Sequence, residues 1–213
     1  MATVQASAEQ RFVLYGVSWP EYGRMLRAFA ERPAVRLTYD RGTLEIMTLS
    51  HEHENRAHML GRLIVALTEE LDLPVKGGGS TTFRRRRRRR GLEPDECYWI
   101  TSEPQVRGKL KVDLRLDPPP DLVLEIDISR SSLDRMAIYA SLGVPEVWRY
   151  DVAGLTFFAL GADNRYAGVI HSRSFPQVSM VDLLPFMALS GQMDENAIIR
   201  EFRTWIRQHL AQP

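Results

Sequence analysis

Pro119-Pro120-Asp121-Leu122-Val123-Leu124-Glu125-Ile126-Asp127-Ile128 decides how the rest of the chain is read. Consecutive prolines stiffen the approach, and an apolar run of strand length follows, over residues 122–128. Side chains alternate along a strand, so Glu125 and Asp127 share one face, while Leu124, Ile126 and Ile128 share the other. Two carboxylates on an otherwise apolar strand must be solvated, paired or bound to a metal ion.

Downstream, residues 131–141 read as a helix that Gly143 stops, and residues 147–151 and 155–160 read as strands. Upstream, Pro94-Asp95 introduces a strand over residues 96–101. Before it, Gly77-Gly78-Gly79 breaks the chain and residues 80–83 are extended. A long helix is expected over residues 51–72, with Leu60, Leu63, Ile64, Leu67 and Leu71 along one face. Residues 34–39 and 43–48 alternate around Asp40-Arg41-Gly42 as a hairpin. A first strand is expected over residues 11–17. Ser18-Trp19-Pro20-Glu21 then reads as a capping box opening a helix through Phe29. The end is helical, over about residues 195–210. This order predicts an α/β fold: a mixed central β-sheet flanked by helices. With no repeat or dividing linker, residues 1–213 form one domain. Its core spans approximately residues 11–160, and a C-terminal helical segment approximately residues 180–211.

The 213 residues suit one domain with a sizeable core. No apolar run reaches the roughly eighteen residues of a membrane span, and residues 1–10 lack a basic-then-apolar leader. The expectation is a soluble cytoplasmic protein. Cys97 is the only cysteine, which excludes an internal disulfide framework and a CxxC zinc site. Arg84, Arg85, Arg86, Arg87, Arg88, Arg89 and Arg90 form one uninterrupted tract; without those seven charges the net +1 becomes about −6. Lysine is scarce, at Lys76, Lys109 and Lys111 only.

Asp95 and Glu125 mark two acidic strand ends. If the strands converge, the pair supplies what Mg²⁺ takes from protein, one or two carboxylates with places left for water and phosphate. The plainer reading makes Asp95 a turn residue and leaves Glu125 and Asp127 on an exposed strand face.

Several segments extend that reading: Gly91-Leu92-Glu93-Pro94-Asp95-Glu96-Cys97-Tyr98, the quoted strand, Ser132-Leu133-Asp134-Arg135-Met136-Ala137-Ile138-Tyr139, and Gly143-Val144-Pro145-Glu146-Val147-Trp148. With Gly42-Thr43-Leu44-Glu45-Ile46-Met47, Ser50-x-x-His53, Phe175-Pro176 and the C-terminal helix, their order and spacing resemble the Uma family, a restriction endonuclease branch of the PD-(D/E)XK nuclease superfamily. The resemblance covers nearly the whole chain. It implies a restriction endonuclease-like core, hydrolysis of DNA phosphodiesters with Mg²⁺ or Mn²⁺, and Asp95 and Glu125 as metal ligands. DNA is then the expected partner, and a homodimer stays open.

The sequence departs from the superfamily at the lysine. Asp127 stands two after Glu125, where lysine is expected, and the family's relocated lysine corresponds to Arg135, one helical turn from Tyr139. Arginine can hold a phosphate through two hydrogen bonds but cannot act as a base. Arg135 is equally well read as a surface residue paired with Asp134 or Asp127. Glu54, with Glu52 second, is the candidate acid on the first core helix, against a plain first-turn charge complementing the helix dipole. His53 matches the motif histidine, while His51 and His53 are misplaced for a helical zinc pair. The arginine tract is a phosphate-binding candidate, or a solvated hairpin loop. Trp99, Tyr139, Trp148, Phe157 and Phe158 read as core, Cys97 as a small buried residue, and Ser129, Ser131 and Ser132 as turn and cap residues. Against the enzyme stands a catalytically silent relative that binds nucleic acid or a protein partner.

Overall fold

The fold is taken from a computed structural model describing residues 9–32, 34–128 and 131–210. The leader reading of residues 1–10 thus falls mostly outside the described residues, as does the turn role of Ser129.

The elements run β1 (Gln10–Leu14), α1 (Trp19–Ala28), β2 (Val35–Asp40), β3 (Thr43–Thr48), α2 (His51–Glu70), β4 (Lys76–Gly77), β5 (Phe83–Arg85), β6 (Arg90–Leu92) and β7 (Glu96–Trp99). They continue α3 (Glu103–Val106), β8 (Leu122–Asp127), α4 (Arg135–Leu142), β9 (Glu146–Asp151), β10 (Gly154–Leu160), β11 (Tyr166–Val169), α5 (Met180–Ala188) and α6 (Glu195–His209). The strands make two sheets rather than one. An antiparallel sheet runs β1-β3-β2-β6-β5, and a mixed sheet runs β11-β10-β9-β8-β7-β4. Within the mixed sheet only β8 and β9 pair parallel, so α4 is the crossover between them.

The apolar composition of β8 follows from burial on both faces. Leu122, Leu124 and Ile126 pack with Leu60, Leu63, Ile64 and Leu67 of α2, and with α6 behind. Val123 faces the other way, with Ile138 and Tyr139 of α4. The Ser18 capping box forms as read, and the hairpin turns through Arg41 and Gly42, both at positive φ. Gly143 ends α4 in the left-handed region, at φ +83°. Among the described residues no helix is long and apolar enough to cross a membrane.

Further details differ from the sequence reading. The first strand ends at Leu14, whose partner Leu44 is one residue from the start of β3. α4 opens at Arg135, with Asp134 as its N-cap accepting from the Ala137 amide. The preceding serines are held instead by Glu45, whose carboxylate accepts from Ser131 Oγ and Ser132 N. β11 went unread because its Tyr-Ala-Gly-Val lacks alternation.

Gly78 sits where the chain crosses the end of β7. A Cβ there would lie 2.6 Å from both Cys97 Sγ and the Trp99 ring, which are themselves buried. Gly78→Ala is expected to cost about 1–3 kcal/mol as an overpacked contact. That lowers the melting temperature by roughly 2–12 °C in a domain of this size. An unchanged thermal melt would contradict this packing.

Candidate active site

β7 and β8 run antiparallel with Glu96 opposite Leu124, so Asp95 falls beside Glu125 one step further along. Both carboxylates are buried. The Ile126 amide donates to Asp95 Oδ2 at 2.8 Å, fixing Asp95 against the strand that carries Glu125. His53 approaches from α2, with Nε2 3.2 Å from Asp95 Oδ2. Ser50 caps that helix by accepting from the His53 amide at 3.1 Å, which sets the histidine in the first turn facing inward.

α4 closes the other side. Arg135 and Tyr139 are one turn apart and both reach Glu125 Oε1, the guanidinium at 2.6 Å and the phenol by a very short bond. The same guanidinium donates to Thr38 Oγ1 at 2.7 Å and to the Glu93 carbonyl at 2.9 Å. Arg135 is thus an inward-facing partner of Glu125 and not a surface residue paired with Asp134 or Asp127.

Burial, with the charge of Asp95 alongside, lifts the Glu125 pKa above the usual carboxylate range, against the pull of Arg135. Burial would lift Asp95 too, but His53, Arg135 and the Ile126 amide together hold it below. For His53 burial works against protonation, yet the carboxylate of Asp95 raises its pKa overall. The set contains two acids, one permanent cation and one titratable ring; with both acids ionised and His53 neutral it carries one net negative charge.

That composition bears on a divalent cation. Among the described residues Asp95 Oδ1 is buried without a hydrogen-bond partner, and carboxylate oxygen suits Mg²⁺ or Mn²⁺. The residues fit such an ion by donor type and charge. The described residues contain no group of three or more His, Cys, Asp or Glu placed to hold a metal, so protein would supply only part of its coordination.

The other candidates sit further out. Asp127 is half-exposed at the end of β8, 3.6 Å from Arg11, and burial raises its pKa. With Glu125, Arg135, Arg149 and Asp151 it lines a cavity of about 310 Å³ leading to the Glu125 side of the site. Glu54 is largely exposed and lies 3.9 Å from Arg36, so His53 is the residue that α2 turns towards Asp95. The arginine tract is the hairpin itself: β5, a single 3₁₀ turn and β6. Arg85 donates to the Leu114 carbonyl, and Arg90 pairs with Asp40 and donates to the Ala137 carbonyl. Arg84, Arg86, Arg87 and Arg88 are exposed.

Glu45 had no role assigned from sequence. It is buried on β3, accepts from Arg11 at 2.9 Å and latches the turn into α4. An acid beside Leu44 within an apolar strand was the signal, the same one that drew attention to Glu125.

The family model described as "Putative restriction endonuclease", Uma2, matches residues 19–191. The match spans Asp95, Glu125 and Arg135 and far more than half of the chain. No curated protein matches.

Proposed function

This chain belongs to the Uma2 restriction endonuclease family, and on that premise we propose that it hydrolyses DNA phosphodiester bonds with a divalent cation held by Asp95 and Glu125. The observation carrying this reading is the buried pair itself: two carboxylates side by side, one with an unsatisfied oxygen, next to a guanidinium. Such a cation, Mg²⁺ or Mn²⁺, would lower the pKa of its water and polarise the phosphoryl oxygen. Asp95 is oriented for this by Ile126 N and His53. Arg135 neutralises Glu125 until DNA arrives, and can then offer its fork to the phosphate. Asp127 flanks the entrance, while Glu54 contributes charge from outside the pair.

The test is conversion of supercoiled plasmid to nicked or linear forms. Cutting is expected with Mg²⁺ or Mn²⁺ and not with EDTA, and Asp95→Asn is expected to abolish it while the protein still melts cooperatively. If no plasmid is cut across metals and pH, by either the parent or Arg135→Lys, the enzyme is given up for a silent binding protein. One observation favours that second reading: Glu125 Oε1 already carries two hydrogen bonds, so the ion pair is satisfied on its own.

A further inference from the structure

A cavity of about 870 Å³ lies apart from the carboxylate site. It opens between the glycine turn after β4, the β5 strand and the loop of residues 109–115. Its lining gathers all three lysines of the chain, Lys76, Lys109 and Lys111, with Arg84, Arg86 and Arg115. Not all six charges are available. Lys76 Nζ donates to the carbonyls of Val106 and Lys109, Lys109 pairs with Asp117, and Arg115 pairs with Asp113. Among the described residues no acidic side chain pairs with Arg84, Arg86 or Lys111, and all three are exposed. Three exposed cations from two separate segments, backed by three committed ones around the same concavity in a protein otherwise net acidic, describe an anion site.

We propose that this cavity seats the phosphodiester backbone of a nucleic-acid strand, flanking the carboxylate pair. Its volume equals that of roughly thirty waters at about 30 Å³ each, too much for one phosphate and enough for a stretch of backbone. Its wall includes Trp99, the last residue of β7, and Asp95 immediately precedes the first. Four residues of strand span about 13 Å at 3.3 Å each. Only part of the arginine tract takes part. Arg84 and Arg86 face the cavity, while Arg85 and Arg90 are committed to the protein interior. The identity of the ligand rests on the nuclease reading, but its binding does not require cutting.

The experiment is therefore done in EDTA: fluorescence anisotropy of a labelled duplex over a salt series. Arg86→Ser/Lys111→Ser, in the cavity, is compared with Arg87→Ser/Arg88→Ser, which removes the same charge from the hairpin tip. Losing two phosphate contacts is expected to flatten the slope of log K against log salt by about 1.8. The tip pair is expected to change it by less than half as much, and Arg86→Lys/Lys111→Arg to restore the parent slope. Equal effects of the two pairs, or no effect of the cavity pair, would overturn the proposal. So would polyglutamate displacing the duplex as well as unlabelled duplex does at equal charge, which would mark an acidic protein as the ligand. Competition by inorganic phosphate at matched ionic strength, with the two pairs indistinguishable on duplex, would reduce the cavity to a free-phosphate site and overturn it too. Absence of plasmid cutting with intact cavity binding would sink only the nuclease reading.

Discussion

Glu125→Gln is expected to reduce Mg²⁺-dependent plasmid cutting by roughly 10³-fold or more. A cation acting as Lewis acid contributes several kcal/mol to phosphoryl transfer, and each 1.4 kcal/mol is about a decade in rate. The substitution removes the carboxylate charge at nearly constant volume. The fold should survive it, because the glutamine oxygen can still accept from Arg135 and Tyr139, the two partners of Glu125 Oε1. Arg135 loses its direct ion pair but keeps the charge of Asp95 nearby, so the melting temperature should fall by less than in Arg135→Met, and duplex binding in EDTA should persist. Retention of cutting would remove Glu125 from the chemistry. A collapsed melt would instead assign the loss to folding, and Asp95→Asn would then carry the test.

The second large effect concerns Arg135. Arg135→Met leaves Glu125 buried beside Asp95 with no cation between them. Breaking a buried pair by removing one partner costs about 3–5 kcal/mol, a fall of roughly 6–20 °C in melting temperature. Arg135→Lys keeps a charge near Glu125 but cannot also serve Thr38 Oγ1 and the Glu93 carbonyl. Unmade buried bonds of that kind cost about 1–3 kcal/mol, so the lysine variant should melt between the parent and Arg135→Met. It also restores the residue type that the family resemblance places there, with a titratable amine. Its cutting rate per folded molecule is expected to equal or exceed the parent's. Loss of cutting in a folded lysine variant would show that the two-pronged guanidinium is required.

The parts of this arrangement that were legible in the sequence are local ones. Alternation along residues 122–128 located Glu125, and helical spacing placed Arg135 and Tyr139 on one face; both then reach the same carboxylate oxygen. Capping chemistry located α1 by its Ser18 box and ended α4 at Gly143. What was not legible depends on partners distant in sequence. Glu45 lies 87 residues from the Ser132 amide it binds, and neither position signals the other. The division into two sheets turns on β6, three residues whose pairing with β2 no periodicity encodes. Glu54, with Glu52 second, was the candidate acid on α2 and His53 only the motif histidine, because residue type was weighed without direction. The cap at Ser50 fixes which of the two faces inward. The arginine tract was read as uniform, yet tertiary neighbours half-bury Arg85 and Arg90 and leave the other five exposed.

The bonds of Arg135 also have a mechanical side. Its guanidinium joins β2 and the β6–β7 link, on the antiparallel sheet, to Glu125 on the mixed sheet. Arg90 adds a second tie, from β6 to the backbone of α4. A slip of one sheet past the other by a single residue, about 3.3 Å, would break all of these contacts together. These bonds therefore hold the two sheets in one register. Arg90 and Arg135 thus link the arginine hairpin, through β6 and α4, to the Glu125 carboxylate by a continuous run of hydrogen bonds.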